Sequence, residues 1–128
     1  MPMITLETKV KASINICFDL SRSIDLHQIS TIHTKEKAID GVTTGLIQLN
    51  EAVTWQAMHF GITLQLTSKI TAFNPPYHFR DEQVKGTFKY FIRDHYFEKQ
   101  NDIVIMKDIF DFESPLGILG KLANSLIG

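Results

Sequence analysis

The stretch ITLQLTSKITA, residues 62 to 72, alternates apolar and polar side chains along its whole length. A two-residue period matches a strand and fits no helix, so one side of this stretch turns inward and the other meets water. The same period recurs through most of residues 46 to 113, broken by Gly, Asn and Pro. A chain built mainly of long, two-faced strands must pair them antiparallel and cover one side of the resulting sheet.

The alternation assigns faces. Residues 46 to 59 form a strand with Ile47, Leu49, Glu51, Val53, Trp55 and Ala57 inside. A tight turn at Phe60 and Gly61 leads into the stretch above, where Ile62, Leu64, Leu66, Ser68, Ile70 and Ala72 face in. Asn74, Pro75 and Pro76 stop that strand, because proline cannot donate to a ladder. In the next strand Phe79 and Asp81 are assigned inward. YFIRDHYFE, residues 90 to 98, places Phe91, Arg93, His95 and Phe97 on one face. From residue 103 to 113, Val104, Met106, Asp108, Phe110 and Phe112 share a face.

Upstream lies a strand over residues 3 to 12 with Leu6, Thr8 and Val10 inward. Ser13 then caps a short helix through residue 20, and Ser23 or Asp25 caps another over 24 to 30. A strand near 33 to 39 precedes a Gly- and Thr-rich loop at 41 to 45. Downstream, Ser114 and Pro115 open a final helix with an apolar stripe of Leu116, Leu119, Leu122, Ala123 and Leu126. The expected fold is α+β: a strongly curved antiparallel sheet of about seven strands wrapped on the C-terminal helix, with two short helices after the first strand. This is the helix-grip order.

At 128 residues the chain reads as one domain. A formal charge of −1 gives no electrostatic reason to expect nucleic acid as a partner. The N-terminus lacks the basic and apolar regions of a signal peptide, and no apolar run approaches the ~20 residues of a membrane span. The lone Cys17 reads as helix core and fits a reducing compartment, so a cytoplasmic location is expected. The histidines at 27, 33, 59, 78 and 95 show no metal-ligand spacing, and GVTTG and GILGK lack the rest of a phosphate loop. Neither a metal nor a cofactor is expected.

Arg93 and His95 raise the functional question, because an unpaired buried charge is expensive. A two-residue turn at Gln100 and Asn101 would pair Lys99 with Asp102, set Arg93 opposite Asp108 and set His95 opposite Met106. Arg93 and Asp108 then either satisfy one another or, with His95, orient the polar group of a ligand. His95 beside Asp81 is either a hydrogen-bonded core histidine or a general acid or base. Glu51, opposite Ile70 by the same counting, is a rim residue or a second polar anchor.

The stretches TKEKAIDGVTTGLI, VTWQAMHFG, LTSKITAFNPPYHFRDEQVKG, FIRDHYFE and SPLGILGKLA resemble the START-like, polyketide cyclase-like (SRPBCC) ligand-binding family, and within it a subgroup of small bacterial proteins. The subgroup usually has histidine where Arg93 stands, and its last helix runs further than a chain ending at Gly128, which is either naturally short or truncated. The resemblance implies a helix-grip fold with a hydrophobic cavity between sheet and helix but does not fix an activity, since this fold hosts carriers, receptors and cyclases alike. The expected function is binding of a small, mainly apolar molecule with one polar end, without catalysis. Trp55, Phe79, Phe91, Phe97, Phe110 and Phe112 would form the cavity wall, with Asp81, Arg93, His95 and Asp108 fixing orientation. The alternatives are a cyclase- or dehydratase-type enzyme in which His95 moves protons with Asp81 or Asp108, and a groove for a protein partner. The short helix would leave the pocket more open or completed by a second subunit, as in a homodimer.

Overall fold

A computed structural model describes residues 3–31, 35–59, 61–86 and 88–113. Seven strands, β1 (Met3–Val10), β2 (Lys37–Gly41), β3 (Ala52–His59), β4 (Ile62–Asn74), β5 (His78–Gly86), β6 (Tyr90–Gln100) and β7 (Ile103–Glu113), make one antiparallel sheet. Their order is β1-β7-β6-β5-β4-β3-β2, so β2 to β7 run as a meander and β1 returns beside the last strand. Helices α1 (Ile14–Ser21) and α2 (Ile24–Ser30) follow β1. The expected C-terminal helix, with its Ser114 and Pro115 start, lies outside the described residues. Among those residues no helix is long and apolar enough to cross a membrane.

Both helices start where the serines predict. Ser13 and Ser23 stand in extended backbone, and their hydroxyls accept from the amides of Ile16 and Leu26, each at 3.2 Å. Helix α1 is too short to persist alone, and packing holds it. The buried Phe18 meets Phe73, Phe79 and Phe97 edge-on, at centroid distances of 5.5, 5.4 and 5.4 Å. Cys17, Ile24, Ile47, Val53, Trp55, Ile70 and Val104 complete this core, with Cys17 buried as expected. A second cluster, Phe88, Phe91, Phe110 and Phe112, fills the inner face farther along.

The structure corrects four expectations. The strand expected over 46 to 59 begins only at Ala52, because Asn50 takes positive φ and the Glu51 carboxylate accepts from the Gln48 amide, making a turn. Glu51 therefore holds a loop and is no inward anchor, although the backbones of Ile70 and Glu51 do meet, at 3.0 Å. The second strand runs Lys37–Gly41, later than expected, and part of the predicted range, residues 33 and 34, lies outside the described residues. In β4 a bulge between Ile70 and Ala72 inserts one residue and flips the alternation. Ala72 then pairs with Arg80, and Phe73 turns inward opposite Phe79.

The last correction bears on the site. The β6–β7 turn sits at Asn101 and Asp102, with Asn101 at φ 56°, a left-handed conformation that asparagine tolerates. Gln100 thus pairs with Ile103, and every pairing moves by two residues from the expected register. Arg93 lies opposite Phe110, and His95 lies opposite Asp108.

Candidate functional site

The inner face of β5, β6 and β7 joins four charged side chains into one chain of hydrogen bonds. Arg93 donates through Nε to Asp81 Oδ1 at 2.7 Å. The other oxygen of Asp81 meets His95 Nε2 at 3.2 Å, and His95 Nδ1 meets Asp108 Oδ1 at 2.7 Å. Register produces this arrangement: Asp81 faces Arg93 across β5–β6, and His95 faces Asp108 across β6–β7. Arg93 is thus partnered by Asp81, and Asp108 by His95, in place of the Arg93 to Asp108 pair expected from sequence.

Burial makes the pairing decisive. The Asp81 side chain is only 8% exposed. Burial alone would raise its carboxyl, but the neighbouring Arg93 charge and the bonds from His95 prevail and hold it at about 2, below the ordinary 3.8. Burial likewise opposes the charge on His95, yet the hydrogen bonds to Asp108 and Asp81 win and raise it above 6.5. Arg93 follows the same logic, desolvation being outweighed by Asp81, and stays charged. Two cations and two anions balance.

Aromatic rings frame the chain. Phe79 stacks on the His95 ring at 4.4 Å and 21°. The Arg93 guanidinium lies 5.7 Å from the centroid of Phe91, which stacks on Phe112 at 5.8 Å. Phe110 stands opposite Arg93, and Trp55, buried on β3, borders the same space. The structure thus brings every sequence-predicted site residue, Trp55, Phe79, Asp81, Phe91, Arg93, His95, Asp108, Phe110 and Phe112, onto one face of the sheet.

Arg93 has capacity left over. Its Nη1 and Nη2 atoms make no hydrogen bond among the described residues, and Arg93 borders two small hollows of about 40 Å3 each. One lies toward Ser68, Asp81 and Ile70, the other toward Glu36, Leu66 and Phe91, and His27 and Trp55 line both.

Two contributors escape the sequence reading. His27 of α2 bonds the buried Glu36 at 2.9 Å and tilts over the Trp55 ring at 4.3 Å. Glu36 leaves a signal, because Lys35 and Lys37 are exposed while Glu36 and Ala38 alternate inward. His27 leaves none, since the contact depends on how α2 docks.

No protein-family model matches the chain, and no curated protein matches its sequence. Solved structures match by shape. A protein from Thermus thermophilus superposes with a TM-score of 0.74 at 12% identity, over 98% of this chain and 84% of that one. A START superfamily protein from Mycobacterium smegmatis gives 0.71 at 12%, over 98% and 86%. Major latex-like protein 151 from Panax ginseng gives 0.68 at 12%, over 98% and 92%. Identities this low speak for the fold alone. Seven antiparallel strands in this order, two short helices after the first, and neighbours of nearly equal extent lead to one conclusion: the chain has the START-like, helix-grip fold.

Proposed function

We propose that the protein binds a small, mainly hydrophobic molecule with one polar end against the inner face of its sheet, and that it does so without catalysis. One observation carries this reading: Arg93, held at Nε by Asp81, keeps two terminal nitrogens free of partners among the described residues, beside hollows bordered by Trp55, Phe79 and Phe91. An apolar concavity with few, fixed polar groups is the usual make-up of a ligand site. Asp81 and His95 lock the guanidinium in place, and Asp108 locks His95. Such preorganisation lowers the cost of binding.

The same geometry argues against proton transfer by His95. Both ring nitrogens face carboxylates, so the protonated ring donates twice and has no lone pair with which to act as a base. As an acid it would have to give up a proton that two carboxylates retain.

Native mass spectrometry of the purified protein, followed by organic extraction, tests the proposal. A discrete added mass of small-molecule size, lost on Arg93→Leu, is the expected result. A protein that stays empty when offered fatty acids, flavonoids and polyketides would overturn it.

A further inference from the structure

Ser68 is a buried residue whose hydroxyl has no hydrogen-bond partner among the described residues. It is 3% exposed, and the other buried polar side chains, Glu36, Asp81 and Asp94, all have partners. An unsatisfied buried hydroxyl is destabilising, and such exceptions in folded proteins call for an explanation. Ser68 lines the same hollow of about 40 Å3 as Arg93. A hydroxyl and a guanidinium with unused N–H groups therefore border one small space beneath α2, and both can donate.

At about 40 Å3 the hollow has room for a small polar group. Its charge is already balanced. Arg93 and His95 answer Asp81 and Asp108, and Arg22 answers Asp19. An entering carboxylate would be a buried charge with no cation left for it, whereas a carbonyl oxygen would accept from both donors at no such cost.

We propose that the hollow between Ser68 and Arg93 is the polar end of the binding site and takes a neutral oxygen acceptor, the carbonyl of a ketone, ester or amide, in preference to a carboxylate. The inference rests on the binding reading given above and names the ligand class for it. Ser68 and Arg93 bind the oxygen, and the apolar remainder of the ligand lies toward Trp55.

Three molecules of nearly one shape test it by equilibrium dialysis at pH 7: 2-acetonaphthone, 2-isopropenylnaphthalene and 2-naphthoate. The ketone is expected to bind at least tenfold more tightly than the alkene, the worth of a charge-assisted hydrogen bond from Arg93 beside a neutral one from Ser68, and more tightly still than the acid. Ser68→Ala should cut the ketone's advantage over the alkene severalfold and leave alkene affinity unchanged. It should also leave the empty protein at least as stable to urea, because it removes an unpartnered hydroxyl. Equal or tighter binding of 2-naphthoate would overturn the inference while leaving the binding reading intact. So would a ketone-to-alkene ratio that ignores Ser68→Ala, or a loss of stability in that variant. Failure of all three molecules to bind would overturn both.

Discussion

Strands β5 and β6 carry the same trio on both faces. Outside, Arg80, His78 and Asp94 meet; inside, Arg93, His95 and Asp81 meet, with Asp108 as a fourth member. Even the stacking is repeated, with Tyr96 on His78 at 4.6 Å and Phe79 on His95 at 4.4 Å. The geometry differs. Arg80 grips Asp94 with a fork, Nε and Nη2 each 2.9 Å from a separate oxygen, whereas Arg93 holds Asp81 through Nε alone. A two-point pair uses up much of the guanidinium on its partner; a one-point pair fixes it and leaves donors for something else. The outer face does carry a wider open trough of about 710 Å3, bordered by Tyr77, His78, Tyr96 and Lys107. Volume alone is therefore a poor guide to the site, because the partly buried donors lacking partners are on the other side.

Removing the inner cation tests this contrast most severely. Arg93→Met leaves Asp81 buried with only His95 to answer it and should lower stability by about 3–5 kcal/mol in urea unfolding. Adding Asp81→Asn should restore most of that loss. Strict additivity of the two changes would mean that the pair is not coupled.

The next effect is pH dependence, and its sign follows from the two inner groups. His95 is raised in the fold, so its contribution is whole below its unfolded value of 6.5 and fades as pH rises through the raised one. Asp81 is lowered, so its contribution is whole above 3.8 and is lost as pH falls toward about 2. Between about pH 4 and 6.5 both are present. Urea midpoints should therefore decline above that window in the native protein and decline less in His95→Gln. Identical profiles would show that His95 is not held as a cation by its two carboxylates.

The outer trio should matter least. The Arg80 side chain is 41% exposed, so Arg80→Met should cost about 1 kcal/mol or less, and added salt should shrink the difference. A loss as large as that of Arg93→Met would erase the distinction between the faces.

How much of this was legible in the sequence depends on which interactions decide each feature. That Phe79 shares a face with Asp81, and Phe91 with Arg93, His95 and Phe97, followed from alternation, because side chains change sides at every residue of a strand; which face turns inward did not, since both faces mix apolar with charged residues. Both helix starts were legible because capping is local. The β6–β7 register was not, since a turn one residue later moves every pairing by two, and Asn101 can adopt either arrangement. That one residue reassigned the partners of Arg93 and His95. Phe73 was hidden by a bulge. Ser68 was correctly turned inward by pattern, but its missing partner is a fact of tertiary packing that no spacing records.

The central claim is that Arg93 serves a ligand and Arg80 does not. Its most direct test is equilibrium dialysis of 2-acetonaphthone against two matched variants, Arg93→Lys and Arg80→Lys. Lysine keeps the charge that each aspartate needs but loses the fixed fork of donors. The account predicts that Arg93→Lys weakens binding by roughly tenfold while Arg80→Lys leaves it unchanged. Equal effects of the two substitutions, or none from Arg93→Lys, would contradict it.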